Sequence, residues 1–252
     1  MQINTNENSP LETHKVWDKT IRIFHWVNLA SVLVLTSLGL FILYGDEFGV
    51  SKEGKVLLKT LHVYAGYVFA LNLIWRLVWA FAGNKYAKWR AILPFGKGFP
   101  GELRIALREF GSQSTRSYLG HDPLGKLMIA LLLLLMVSQA STGLVLAGTD
   151  VYMPPFGSAM AQWVTGGDPD LLANLKPGSK EFVDMALYDE MRAFRSPFIF
   201  IHKNGFYVLA GAIVLHIAGV VWVDARQKKG LVSAMLSGQK HIAGEPVDKP
   251  EE

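Results

Sequence analysis

Residues 198–223 read FIFIHKNGFYVLAGAIVLHIAGVVWV. A helical run of this length and apolarity crosses a hydrocarbon core of about 30 Å. Yet it carries His202 and His216. They lie fourteen residues apart, almost four helical turns, so both imidazoles fall on nearly one face, about 21 Å apart along the axis. Ionisable side chains inside a span are costly and mark function. Two on one face at that separation predict two sites at different depths, with partners supplied by other spans.

Working outward, the chain supplies those spans. Apolar runs at 21–44, 60–82 and 124–147 join 198–223. The expected class is all-α: an integral membrane four-helix bundle in contact with lipid. A polar tail (1–20) precedes the four-span domain (21–223), an outer loop (148–197) joins the last two spans, and a tail (224–252) follows. Half of the 252 residues are hydrophobic, which fits a membrane protein better than a soluble core. The N-terminal segment lacks a signal-peptide hydrophobic region, so the first span is expected to be retained. GELRIALREF (101–110) predicts a short helix in the interface plane, Asp122-Pro123 a capped helix start, and VDMALYDEMRAF (183–194) a helix within the outer loop.

The net charge is +4, and its distribution sets topology. The N-terminal tail, the connection between the second and third spans, and the C-terminal tail carry twice the Lys and Arg of the other two loops. The positive-inside rule therefore puts both termini in the cytoplasm. The basic residues flank spans, and no nucleic-acid partner is expected.

Depth then sorts the histidines. His25 enters the first span from the cytoplasmic side, where His216 also lies; His62 enters the second span from the outer side, level with His202. The result is an inner pair, His25 with His216, and an outer pair, His62 with His202, each joining two helices. The chain has no Cys, which removes thiolate metal sites, iron–sulfur clusters and covalent haem attachment. No carboxylate lies deep in a span, and two imidazoles alone cannot close a zinc or non-haem iron site. They do complete a haem iron, and filling both axial positions favours electron transfer. The expected cofactors are thus two non-covalent haem b groups with bis-histidine ligation. Gly39, Gly66, Gly143, Gly205 and Gly211 either admit a flat ring or serve helix packing. Arg76, about two turns inside the second span, either snorkels to the headgroups or pairs with a propionate or a quinone. Trp26, Trp75, Trp79, Trp89 and Trp222 suit an interfacial belt. His14, His121 and His241 are expected at the surface or in turns, with His121 a minor candidate for a quinone site.

Five stretches carry a resemblance: VWDKTIRIFHW (16–26), LHVYAGYVFALNLIWRLVWAFAGN (61–84), GHDPLG (120–125), LHIAGV (215–220) and MLSGQK (235–240). With the His202–His216 spacing, they make the chain resemble the bacterial cytochrome b561 family, which includes the cytochrome b subunits of nickel–iron hydrogenases. The resemblance covers most of the length. It implies a di-haem membrane cytochrome whose axial ligands are His25, His216, His62 and His202, exchanging electrons with the quinone pool. The outer loop is unlike that of the hydrogenase subunits, which leaves the partner open between a periplasmic cytochrome c and a dehydrogenase or hydrogenase subunit. An electron-transfer subunit of a respiratory oxidoreductase is favoured over a stand-alone enzyme. The alternative is a self-sufficient oxidoreductase passing electrons from a small oxidant or radical such as superoxide to quinone.

Overall fold

The computed structural model describes residues 11–96, 98–110, 116–227, 230–243 and 245–248. Residues 1–10, Lys97, residues 111–115, Lys228, Lys229, Gly244 and the last four residues of the C-terminal tail lie outside the described residues. The element order is β1 (Leu11–Lys15), α1 (Lys19–Leu43), α2 (Lys52–Ala82), α3 (Trp89–Ile92), α4 (Phe99–Glu109), α5 (Pro123–Val151), α6 (Gly157–Thr165), α7 (Pro169–Asn174), α8 (Met185–Gln227), α9 (Leu231–Ser237) and β2 (Gln239–Ala243). Four of these helices, α1, α2, α5 and α8, are long and apolar enough to cross a membrane. Mid-helix residues such as Leu71, Leu134 and Phe200 are each 68% exposed; apolar side chains left uncovered at this density on long helices belong against lipid.

All four long helices begin by the same local rule. An Asp or Ser just ahead of the first turn accepts from the backbone N–H three residues on, satisfying a donor that helix geometry leaves orphaned. Asp18 Oδ1 takes Ile21 N at 2.8 Å, Ser51 Oγ takes Gly54 N at 3.0 Å, Asp122 Oδ1 takes Gly125 N at 2.6 Å, and Asp184 Oδ1 takes Leu187 N at 3.1 Å. These caps explain where the helices overrun the apolar runs. The segment read as a charged loop before residue 60 is helical from Lys52, because Ser51 starts the helix ahead of the hydrophobic stretch. Similarly, residues 185–197, expected within the outer loop, form the first turns of α8, which runs on through Pro197 for 43 residues. Membrane helices tolerate an internal proline where neighbouring groups absorb the lost backbone bond.

The chain folds as two compact units, Met1–Trp26, Ile74–Leu134 and Leu209–Glu252 in the first, Val27–Leu73 and Leu135–Val208 in the second. In the first, β1 and β2 pair antiparallel, with Thr13 opposite His241. Within the segment expected as a polar tail, Leu11–Lys15 thus form a strand. Val16, Trp17, Ile21, Tyr86, Leu119 and Ile242 form a core beside this sheet. Buried Lys240 donates to the Gly120 carbonyl at 2.6 Å. The Asp248 carboxylate accepts from Leu119 N at 2.6 Å and Gly120 N at 2.7 Å.

In the second unit, α6, α7 and the start of α8 enclose Val164, Val183 and Met191, with Tyr152, Trp163 and Tyr188 packed around them. The loop expected between the last two spans therefore has a core of its own. Asp168 caps α7 by accepting from Asp170 N and Leu171 N. Only glycine fits at 157, where a side chain would run into the Tyr152 carbonyl.

Asp18 has two tasks, since its other oxygen accepts from Trp79 Nε1 at 3.0 Å. Asp18→Ala should therefore lower unfolding stability by about 1–2 kcal/mol, and Asp18→Asn by less. Thermal melts of the two purified variants against the parent check this; equal melts for all three would mean the cap contributes nothing.

Candidate functional site

The structure places His25 and His216 in the first unit, on α1 and α8, and His62 and His202 in the second, on α2 and α8. The second pair is resolved most sharply. Its rings face one another edge to face, with centroids 6.3 Å apart and planes at 79°. A ring nitrogen binds a metal at about 2.0–2.1 Å, so two imidazoles ligating one ion from opposite sides have centres on the order of 6 Å apart. His202 is oriented by its surroundings. Its Nδ1 lies 2.9 Å from Thr142 Oγ1, and its backbone carbonyl accepts from Gln139 Nε2 at 3.2 Å. An Nδ1 held this way leaves Nε2 as the free ligating nitrogen.

Two of the flagged glycines sit directly against these rings. A Cβ at Gly39 would lie 3.5 Å from His62 Cε1, and one at Gly143 would lie 3.2 Å from His202 Cε1. At Gly66 in the same unit, and at Gly211 in the first unit, a Cβ would meet nothing within 4 Å, so open space borders the helix backbone there. Gly205 instead packs against Gln139 Nε2.

In the first unit, His25 lies edge to face with Trp26 at 5.7 Å and within electrostatic reach of His216. The Nδ1 atoms of His25 and His62 are buried without a hydrogen-bond partner among the described residues; the Leu35 backbone is the one that approaches His62. Arg76 reaches partners beyond the ends of the spans. It is 6% exposed, donates to the Ala87 carbonyl at 3.3 Å, lies 6.0 Å from the Phe24 ring centre, and has Asp18 as its compensating charge. Trp79 and Trp26, expected in a lipid belt, donate their indole N–H groups to Asp18 and to the Met235 carbonyl.

His121 departs further from expectation. Its ring lies tilted by 37° against Trp17, centres 4.7 Å apart, and its Nδ1 is enclosed without a partner among the described residues. It borders a cavity of about 250 Å³ together with Tyr86, Tyr118 and Lys126. Burial, then the charges of Lys240, Arg76, Lys126 and His216, push its pKa down to about 3. His14 and His241, also expected at the surface, sit in the two paired strands.

No cluster of three or more His, Asp or Glu gathers among the described residues. His62 and His202 face one another as a pair, which fits a metal that brings its other ligands with it. The paired donors, enclosed ring nitrogens and side-chain-free backbone at Gly66 and Gly211 all fit a haem.

The profile described as prokaryotic cytochrome b561 matches residues 16–238. The chain belongs to this family. It is accordingly a multi-pass bacterial membrane protein of electron transport, of a family that carries haem b. Similar curated proteins include the probable Ni/Fe-hydrogenase B-type cytochrome subunit of Rhizobium leguminosarum bv. viciae, 26% identical over 235 residues, covering 89% of this chain and 87% of that one. The subunit of the same description from Cupriavidus necator is 24% identical over 236 residues, covering 89% and 86%. The probable Ni/Fe-hydrogenase 1 B-type cytochrome subunit of Escherichia coli K12 is 30% identical over 145 residues, covering 53% and 60%. No solved structure matches this cytochrome.

Sequence reasoning named the four histidines and Arg76 but missed what surrounds them: Asp18, Gln139 and Thr142. A signal for the last two was present, since Ser138, Gln139, Ser141 and Thr142 interrupt an otherwise apolar span. Asp18, ahead of the first apolar run, read only as tail.

His121 sets a pH dependence. Its folded pKa lies below its ordinary value of 6.5, so the unfolded chain takes up the proton first and stability falls as pH drops from about 6.5 toward 3. His121→Gln should flatten this decline in thermal melts across that range. An unchanged slope would show that His121 is not its source.

Proposed function

We propose that this cytochrome holds one haem b between His25 and His216 and a second between His62 and His202, and moves electrons across the inner membrane between the quinone pool and a redox partner. The observation that carries the proposal is the His62–His202 pair, edge to face at a ring separation of 6.3 Å. When bound, haem b supplies a one-electron carrier whose two axial positions are both filled by imidazole.

The chain's own contribution is to hold, orient and shield. Thr142 fixes the ring of His202. Gly39 and Gly143 let neighbouring backbone close on the rings, and the apolar helices keep water from the pairs. Arg76, buried with Asp18 as its compensating charge, supplies the cation for an acidic group at the inner site, a propionate or a reduced quinone oxygen. Both termini lie in the cytoplasm. The basic loops support this orientation, and the pairing of β1 with β2 supports termini on one side.

The partner is a hydrogenase-type or related dehydrogenase subunit. The names carried by the relatives support this choice, and the α6–α7 segment, with a small core of its own, is the docking surface on the outer side.

Purified protein should contain two b-type haems per chain with distinct midpoint potentials in a redox-titrated visible spectrum. His216→Leu should remove one and leave the other, and His62→Leu should do the reverse. A His216→Leu protein retaining both haems would overturn the ligand assignment. Loss of both from either variant would instead indicate unfolding, which a circular dichroism spectrum distinguishes.

A further inference from the structure

A second cavity, about 200 Å³, lies wholly within the second unit. Its lining brings together three cations, Lys59, Arg192 and Arg195, and one carboxylate, Asp150. Asp150 is already engaged twice, by Lys59 Nζ at 2.8 Å and by Arg195 Nε at 2.5 Å, with both of its partners' side chains largely buried. Arg192 forms no ion pair among the described residues; its guanidinium lies 6.0 Å from the Tyr188 ring centre. The walls therefore carry a surplus of two positive charges. Lys59 and Arg195 are partly buried and Arg192 stands exposed at the rim, so the partly buried wall holds one positive charge beyond what Asp150 offsets, and partly desolvated charge calls for a counterion. Hydroxyl groups of Tyr152, Ser179 and Tyr188 add donors.

The cavity's position gives the counterion a source. Lys59 precedes His62 by three residues on α2, and Arg195 precedes His202 by seven on α8. These are about one and two turns, on the order of 4.5 and 10.5 Å of helical rise. Asp150 lies within electrostatic reach of His202. The two helices that present the imidazoles thus present Lys59, Arg195 and Arg192 (ten residues before His202) about one to three turns nearer the same end.

We infer that this cavity is a carboxylate cradle, in which Lys59, Arg192 and Arg195 receive a propionate of the haem held by His62 and His202. Asp150 keeps two of the cations in place and prevents their mutual repulsion from splaying the site. Guanidinium groups suit this task because their planar fork matches a carboxylate with two parallel hydrogen bonds. The inference rests on the assignment of His62 and His202 as ligands, and the shared chemistry, a carboxylate, has a second source in free dicarboxylates.

The test reconstitutes the full chain with protohaem or with its dimethyl ester, which keeps the ring and removes both negative charges. Haem dissociation is followed for the parent, Lys59→Met and Arg192→Gln, two variants guarding against one that fails to fold. In the parent, the ester should leave about tenfold faster than protohaem, and in either variant the difference should shrink to about threefold or less. Such non-additivity marks direct coupling. Succinate, titrated against thermal stability, is the second arm. Additive ester effects together with saturable, variant-sensitive stabilisation by succinate would keep the cradle but overturn the propionate as its occupant. Additive effects with no succinate response would overturn the cradle altogether. If the second pair takes up neither haem form, the histidine assignment has failed instead, and the succinate arm alone decides the cavity.

Discussion

Hydrocarbon offers a backbone N–H or C=O no hydrogen-bond partner, and each group left unpaired there costs several kcal/mol. That constraint governs the whole chain. It requires the four spans to be unbroken helices, and it moves the unavoidable orphan donors of each helix to its ends, where a carboxylate or hydroxyl can meet them. Asp18, Ser51, Asp122 and Asp184 do this in the same geometry. Asp18 also links the start of α1 to Trp79 on α2, so a group that begins one helix positions another.

Against this apolar background the polar side chains that remain inside the spans become conspicuous, and each has a partner or a purpose. His202 is braced by Thr142 and faces His62. Arg76 has the Ala87 carbonyl and Asp18. Gln139 reaches the carbonyl of His202. His25 and His216 fall in one compact unit and His62 and His202 in the other, and each unit has a small core of its own.

The four long helices were legible in the sequence because length and hydropathy report on lipid directly. Their ends were less so. A hydropathy pattern registers where apolar residues stop, whereas a helix stops where its caps lie, and Ser51 and Asp184 start α2 and α8 well before the apolar runs. The histidines were legible because an imidazole in a span is rare enough to need a reason. Their supports were hidden by distance: Thr142 and His202 are sixty residues apart, and Arg76 and Asp18 fifty-eight. The order in the tail was least legible of all, since LETHK gains its strand only from QKHIA near the other end of the chain.

That last pairing has a consequence for biosynthesis. Thr13 meets His241 across 228 residues, and at about 5–20 residues per second a ribosome needs on the order of 10–45 s to cover that interval. Throughout it, Val16 and Trp17 lack Ile242, against which they finally pack, and the backbone of residues 11–15 is an unpaired strand edge. All four membrane helices have been synthesised before the sheet can close. β2 therefore acts as a latch, and sheet closure is a late step in the maturation of this cytochrome.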